Sequence, residues 1–456
     1  MTEAIDRSTP HLEEFDPTII PFQIQVIRDL KQFDYSLGVH EVLLSGSVGS
    51  AKSLLMAHLI IRHCLDNRNA RVAICRRAMP QLRKTLWVKI KEHLRGSSLL
   101  ENIHWKSNES RLEIKFCNGS EIISHTWADG HFDKVRSLEL SMAAIEELTE
   151  NDKNDFYKEL RPRVGRIPHI KKPLILAATN PDSPSHWAYE YFIDTNSATR
   201  HVYYSLTEQN PFLPNWYIEQ LKNDLDPKLA ERLLYGRWVE INQDVVYYVY
   251  DKGKNFRKAE YKINPHLPIR IAWDFNIAVG KPLSAVLFQF NPDLDEYHFY
   301  DEVVVEGMRT ENSCEELDSR GHLSNKYRYI IHGDATGKNA NTRTVNSDYD
   351  IIKKYFANHP SKLQWELQIP AKNPRVKDRH NFMNALCENL NGKNRLFVYE
   401  KAKTADKAMR LTKLKKGAQY IEDDNDEFQH IGTAMGYGAW AANIWQQTKR
   451  QSTRAL

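Results

Sequence analysis

Residues 46–53 read Gly-Ser-Val-Gly-Ser-Ala-Lys-Ser, and their flanks constrain this chain more than any other feature of it. The run before them, His40-Glu-Val-Leu-Leu-Ser45, has the apolar pattern of a buried strand. The run after them, Lys52 to Leu65, places apolar residues at 54, 55, 59, 61 and 65, the spacing of one helix face. A Gly-rich loop between a strand and a helix is the setting a P-loop requires. The backbone N–H groups of Gly46, Ser47, Val48, Gly49, Ser50 and Ala51 are expected to cradle phosphate, helped by the helix N-terminus. Lys52 is expected on the β- and γ-phosphates of ATP, and the Ser53 hydroxyl on Mg²⁺. Ala51 stands where the common pattern has glycine. A plain Gly/Ser-rich turn would lack one or both flanks.

The strand–helix alternation continues. Arg71-Val-Ala-Ile-Cys75 reads as a second strand, and Arg111 to Phe116 alternates strictly before the turn pair Asn118-Gly119 and a strand at 121–124. Ser141 to Ile145 and Leu174 to Ala178 are two more apolar strands. This order predicts an α/β fold: a P-loop NTPase domain with a mostly parallel sheet and helices on both faces. The fifth strand runs into Glu146-Glu147. Glu146 is assigned to the Mg²⁺ shell, and Glu147 to orienting and activating the attacking water. The strand at 174–178 runs into Thr179-Asn180, small polar groups able to sense the γ-phosphate.

The length of 456 residues calls for more than one core. Hydrophobic residues at 41% and charged residues at 27% fit a globular protein, and no apolar run approaches the ~20 residues of a membrane span. Five scattered cysteines without CxxC spacing give no zinc signature and fit a reducing cytoplasm. Net charge is only +4, but Lys372 to Lys416 holds 13 Lys/Arg against 4 Asp/Glu. Such a block suits a polyanion, with a solvated helix face as the bland alternative.

We expect an arm and ATPase domain over 1–204, a lid or linker rich in proline and aromatics over 205–262, and a second domain over 263–456. In the latter, 269–275, 284–290 and 297–305 read as consecutive antiparallel strands, 329–332 as a fourth, and Ala434 to Trp445 as an apolar helix. This is the element order of an RNase H-like nuclease domain. Asp274 ends the first of these strands and Asp334 follows the fourth. Carboxylates on neighbouring strand ends suit a nuclease that holds Mg²⁺ or Mn²⁺, so both are assigned as metal ligands.

Taken together, these segments resemble the large subunit of tailed-bacteriophage terminases from about Pro21 to Tyr437. The resemblance implies an ATPase that drives double-stranded viral DNA into a procapsid and an endonuclease that cuts concatemeric DNA. It implies a portal protein and a small terminase subunit as partners. It also implies a homo-oligomeric ring, a pentamer being one such ring, acting in the host cytoplasm. The family's adenine motif falls on Pro21-Phe-Gln23-Ile-Gln25, with Gln23 and Gln25 both open as the base reader. Many members carry an arginine inside the P-loop where this chain has Val48, and Arg136 fits a family position that acts across a subunit boundary. The family's third nuclease carboxylate comes from a pattern Asp-His-x-x-Asp-Ala-x-x-Tyr. Here Gln429-His430-Ile-Gly-Thr433-Ala434-Met-Gly-Tyr437 replaces both aspartates. Asp426, or Asp423 and Asp424, stands nearest as a substitute metal ligand, and His430 is a further candidate. The alternatives are a packaging ATPase with a weakened nuclease, and a cellular helicase or repair translocase.

Overall fold

The computed structural model describes residues 20–130, 132–241, 244–275, 283–305, 309–338, 347–415, 420–423 and 428–454. Contacts divide the chain into two units, Met1–Glu219 with Lys228–Ile241, and Gln220–Pro227 with Asn242–Leu456. The stretch 205–262, read above as lid and linker, contributes to both. Asp426, Asp424 and Lys416 lie outside the described residues.

The first unit carries eight strands: β1 (His40–Gly46), β2 (Arg71–Arg76), β3 (Trp105–Asn108), β4 (Glu113–Phe116), β5 (Glu121–Thr126), β6 (Met142–Glu146), β7 (Leu174–Thr179) and β8 (Arg200–Ser205). Their order is β3-β4-β5-β2-β6-β7-β1-β8, parallel from β5 to β8 with an antiparallel β3-β4 edge. A parallel sheet is covered on both faces, so its strands are continuously apolar. Val42, Leu44, Val72 and Ile74 face one core, shared with the helix Lys52–Asp66. Leu43, Ala73, Cys75 and Ile145 face the other, shared with Phe156 and Phe192. Because the strands are parallel, the C-terminal ends of β1, β2, β6 and β7 lie along one edge. Gly46, Arg76, Glu146 and Thr179 therefore come together there.

The second unit holds β9 (Phe256–Arg257), β10 (Ile269–Asp274), β11 (Leu283–Asn291), β12 (Glu296–Val305), β13 (Arg328–Gly333), β14 (Gln364–Leu367) and β15 (Leu396–Tyr399), in the order β14-β13-β10-β11-β12-β15-β9. Only β10-β11-β12 are antiparallel neighbours, as expected for the RNase H-like order; β13 pairs with β10 in parallel. Short β9, read from the sequence as linker, and short β14 extend the sheet on both sides. Ala272 and Phe288 face the helices Val376–Cys387 and Gln429–Arg454, while Ile271, Trp273 and Leu287 face Cys314, Ile352 and Phe356. The last helix lies tight on β10 and β11. A methyl group at Gly438 would come within 2.7 Å of the Ala272 side chain and 2.8 Å of the Phe288 ring. That close approach brings the start of the helix to the end of β10. No described helix is long and apolar enough to cross a membrane.

Candidate functional site

In the first unit the P-loop closes on itself. Lys52 Nζ donates to the carbonyl oxygens of Gly46 (2.8 Å) and Ser47 (2.7 Å) and to Asn180 Oδ1 (3.1 Å). Burial lowers the Lys52 ammonium to about 8, with Glu147 pulling the other way. A desolvated cation that makes do with carbonyl oxygens gains by meeting a phosphate. Gly46 is obligatory: a Cβ there would lie 2.1 Å from Ser205 Oγ. Ser47 and Ser50 face inward rather than toward a ligand, bonding Thr207 and Ser205. The Val48 N–H, expected to face phosphate, donates to Leu233 O at 2.8 Å.

Ala51 takes φ +63°, the left-handed region that favours glycine. For an L-residue this costs about 1–2 kcal/mol, whereas glycine loses about 0.4–1 kcal/mol through its freer unfolded chain. Ala51→Gly is therefore expected to raise stability by about 0.5 kcal/mol. A urea midpoint that falls would count against the strain.

Ser53 Oγ donates to Glu146 Oε1 at 3.3 Å, so the two groups assigned to Mg²⁺ already touch. Both are hard oxygen donors of the kind Mg²⁺ takes. Glu146 also accepts from Arg76 Nη1 (3.1 Å) and from the Thr85 hydroxyl. Arg76 reaches on to Glu150 at 3.2 Å. Glu147 sits at φ +52°, turned out of the strand path. Burial raises its carboxyl, partly offset by Lys52 and Arg76. Thr179 Oγ1 lies 2.7 Å from Thr149 Oγ1, tying β7 to the turn after Glu147. Gln23, buried on the helix Pro21–Gln32, donates to Ala51 O at 3.2 Å; Gln25 is exposed and is not brought to the loop. Arg136 is ion-paired with Glu159 at 3.0 Å on the surface. Arg76 and Thr85 were missed by sequence reasoning. Position at a strand end beside the acid pair was the available signal for Arg76; Thr85 gave none.

In the second unit, Asp274 Oδ2 hydrogen-bonds His430 Nδ1 at 3.0 Å. Burial raises the Asp274 carboxyl, with His430 countering and Asp334 reinforcing the rise. Asp334 Oδ1 accepts from Thr336 N (2.7 Å) and Asn373 Nδ2 (2.6 Å). Its backbone N–H donates to Trp273 O at 3.3 Å, which ties the two aspartate-bearing strand ends together.

Where the family places its helix carboxylate, Thr433 Oγ1 donates to Glu422 Oε2 at 3.2 Å. Glu422 is buried and held by His380 Nε2 at 2.6 Å and by the Arg379 guanidinium. Burial alone would raise its carboxyl; the His380 hydrogen bond and the Arg379 charge outweigh this and pull it down to about 2. Arg379 in turn lies 4.9 Å from the Tyr437 ring centroid. A Cβ at Gly436 would strike its side chain at 2.7 Å. This cluster has no signature along the chain, its members lying at 379, 380, 422 and 433. Asp274 and Asp334 offer a divalent ion the right kind of donor. Among the described residues, however, no three His, Cys, Asp or Glu side chains are grouped to hold one.

Residues 39–235 match the family model described as phage terminase large subunit. No curated protein sequence matches the chain. Among solved structures, the large terminase of the thermophilic bacteriophage D6E is similar with a TM-score of 0.64 at 13% identity, covering 92% of this chain and 97% of that one. The same D6E protein in complex with ADP gives a TM-score of 0.62 at 13% identity, covering 92% and 98%. At this identity the likeness establishes the fold, two α/β units in terminase order.

Proposed function

From the likeness of residues 39–235 to phage terminase large subunits and of the fold to a large terminase, we propose that this chain hydrolyses ATP to drive double-stranded viral DNA into a procapsid, and cuts concatemeric DNA with its second unit. The observation that carries the reading is the meeting of Lys52, Ser53, Glu146, Glu147 and Asn180 at one sheet edge. Lys52 exchanges its carbonyl partners for phosphate oxygens when ATP enters. Asn180 then loses its contact with Lys52, and β7 responds to the state of the γ-phosphate through it. Glu147, its carboxyl raised by burial, orients water and takes its proton. Ser53 and Glu146 would hold magnesium, which when bound supplies positive charge to the phosphate oxygens.

Arg136 is proposed to stabilise the transferring phosphoryl group of a neighbouring subunit, Val48 having left the P-loop without its own arginine. On a single chain it rests on Glu159, a surface pair worth little and readily exchanged. Mixing Arg136→Ala with Glu147→Gln subunits is expected to recover ATPase activity that neither has alone. Wild-type activity in Arg136→Ala by itself would exclude the role.

Asp274 and Asp334 would hold the divalent ions of the nuclease, which when bound activate water and stabilise the leaving oxygen. His430 fixes the Asp274 carboxylate and Asn373 that of Asp334. A packaging ATPase with a weakened nuclease is the second reading, favoured by the locking of Glu422 between Arg379 and His380. The deciding experiment measures DNA-stimulated ATP hydrolysis and plasmid cleavage on one preparation, in Mg²⁺ and in Mn²⁺. ATP turnover indifferent to DNA would remove the motor; cleavage in neither metal would remove the nuclease.

A further inference from the structure

A depression of about 680 Å³ opens in the second unit near the β15-β9 edge of its sheet. Lys252 and Lys258 reach it from either side of β9. Lys403, Lys407 and Arg410 reach it from the helix Lys403–Leu411, whose i, i+4, i+7 spacing puts all three on one face. The opposite face of that helix is committed to the core through Ala405, Ala408 and Met409. Two acids share the wall, Glu400 and Asp406. Asp406 is spent: it accepts from Arg410 at 2.8 Å and from the Tyr250 hydroxyl at 2.9 Å. The helix N-terminus is spent as well, since Glu302 accepts from the N–H groups of Thr404 and Ala405. Lys252 and Arg410 both lie against Asp406, so what remains is a concave surface on which Lys258, Lys403 and Lys407 outnumber Glu400, a surface that favours a polyanion.

Sheet topology says where it lies. β15 is parallel to β12, and β12 and β10 both run antiparallel to β11. β10 and β15 therefore point to the same edge; β15 stops short of the level of Asp274, which is in register with Val304, and the Glu302 contacts with Thr404 and Ala405 bring the start of the helix back toward that level. Three strand steps of ~4.8 Å lead across the sheet from β10 to β15 and a fourth to β9, about 14–19 Å. Along a duplex with one phosphate per strand every ~3.4 Å, that is about four to six base pairs.

We propose that this depression binds backbone phosphates of duplex DNA about four to six base pairs from the phosphate cut at Asp274 and Asp334. It holds the duplex along the nuclease edge irrespective of sequence. The proposal rests on the reading of the second unit as a DNA nuclease. The test is binding of a 30-base-pair duplex by the full chain in EDTA, read by fluorescence anisotropy over a range of salt. The triple variant Lys258→Gln, Lys403→Gln, Lys407→Gln is expected to weaken binding alike for unrelated sequences. Its slope of log affinity against log salt should fall by roughly two to three, about 0.9 for each phosphate no longer neutralised. A control with the exposed Lys326, Lys354 and Lys362 changed to Gln should keep the wild-type slope. Equal melting temperatures and equal DNA-independent ATPase show that both variants fold. A wild-type slope in the triple variant overturns the proposal alone, as does loss of inorganic phosphate or ATP binding with the duplex slope intact. Absence of salt-dependent duplex binding by the wild type overturns the underlying reading with it.

Discussion

Lys52→Ala is expected to abolish ATP hydrolysis, by at least the roughly 10²–10³-fold that loss of one preorganised transition-state donor produces. The ammonium is held in place before ATP arrives, by Gly46 O, Ser47 O and Asn180 Oδ1. When ATP enters it exchanges these partners for phosphate oxygens, and it is then in place as charge develops on them. Its removal also leaves Asn180 without the contact that ATP is proposed to break, so β7 no longer registers the arrival of the γ-phosphate. Glu147→Gln tests the other half of the site. It keeps the size of the side chain and removes the base, so ATP should bind with near wild-type affinity and turn over at least ~10²-fold more slowly. Both variants should cut plasmid at the wild-type rate, because Asp274 and Asp334 belong to the other unit. Steady-state ATPase, fluorescent-nucleotide binding and plasmid nicking on the same preparations make the comparison. Wild-type turnover in Lys52→Ala would remove the P-loop assignment; weak ATP binding in Glu147→Gln would move Glu147 from water activation to nucleotide binding.

The parts of this site that the sequence made legible are contiguous. Residues 46–53 and 142–147 announce themselves because strand, loop and chemistry follow one another along the chain. The choice between Gln23 and Gln25 needed only helix phase. Phe22, Gln23 and Val26 form the buried face of the first helix, and Gln25 falls off it. Arg76 and Thr85 were hidden for another reason. Arg76 reaches Glu146 from the neighbouring strand, and which residues meet at a parallel edge depends on strand order; Thr85 reaches it from the junction of two helices, 61 residues away along the chain. β9 escaped notice because two residues cannot display a period, and it is a strand only by pairing with β15. The Glu422 cluster was the least legible. Its members lie at 379, 380, 422 and 433, and a charge count around Lys372–Lys416 takes Arg379 as DNA-facing when it is buried against Glu422.

Asp274→Asn and Asp334→Asn are each expected to suppress plasmid cleavage while leaving ATPase intact. Loss of groups that merely support metal ligands costs ~10–100-fold in metal affinity or activity, and loss of a ligand should exceed that. Each change removes a negative oxygen from a site proposed to hold dications, and at Asp274 it also breaks the His430 contact that fixes the carboxylate. Thr433 decides how complete the site is. Its hydroxyl donates to Glu422, whose charge is already answered by Arg379 and His380. Thr433→Asp sets a second carboxylate beside Glu422, and a divalent ion relieves the repulsion between them. If the wild type lacks a third ligand, it should cut at high metal with a preference for Mn²⁺, and Thr433→Asp should lower the half-saturating concentration and raise the rate. If Asp426 supplies the ligand, Asp426→Asn should be inactive and Thr433→Asp should change little. If Glu422 does, Glu422→Gln should lose cleavage and Mn²⁺ binding together, whereas a purely structural Glu422 would lose melting temperature and keep its metal affinity. Mn²⁺ titrations read by electron paramagnetic resonance, alongside cleavage and melting curves for the three variants, separate these outcomes. Unaltered Mn²⁺ binding in all three would place the third ligand elsewhere and end the assignment of this role to the C-terminal helix and its approach.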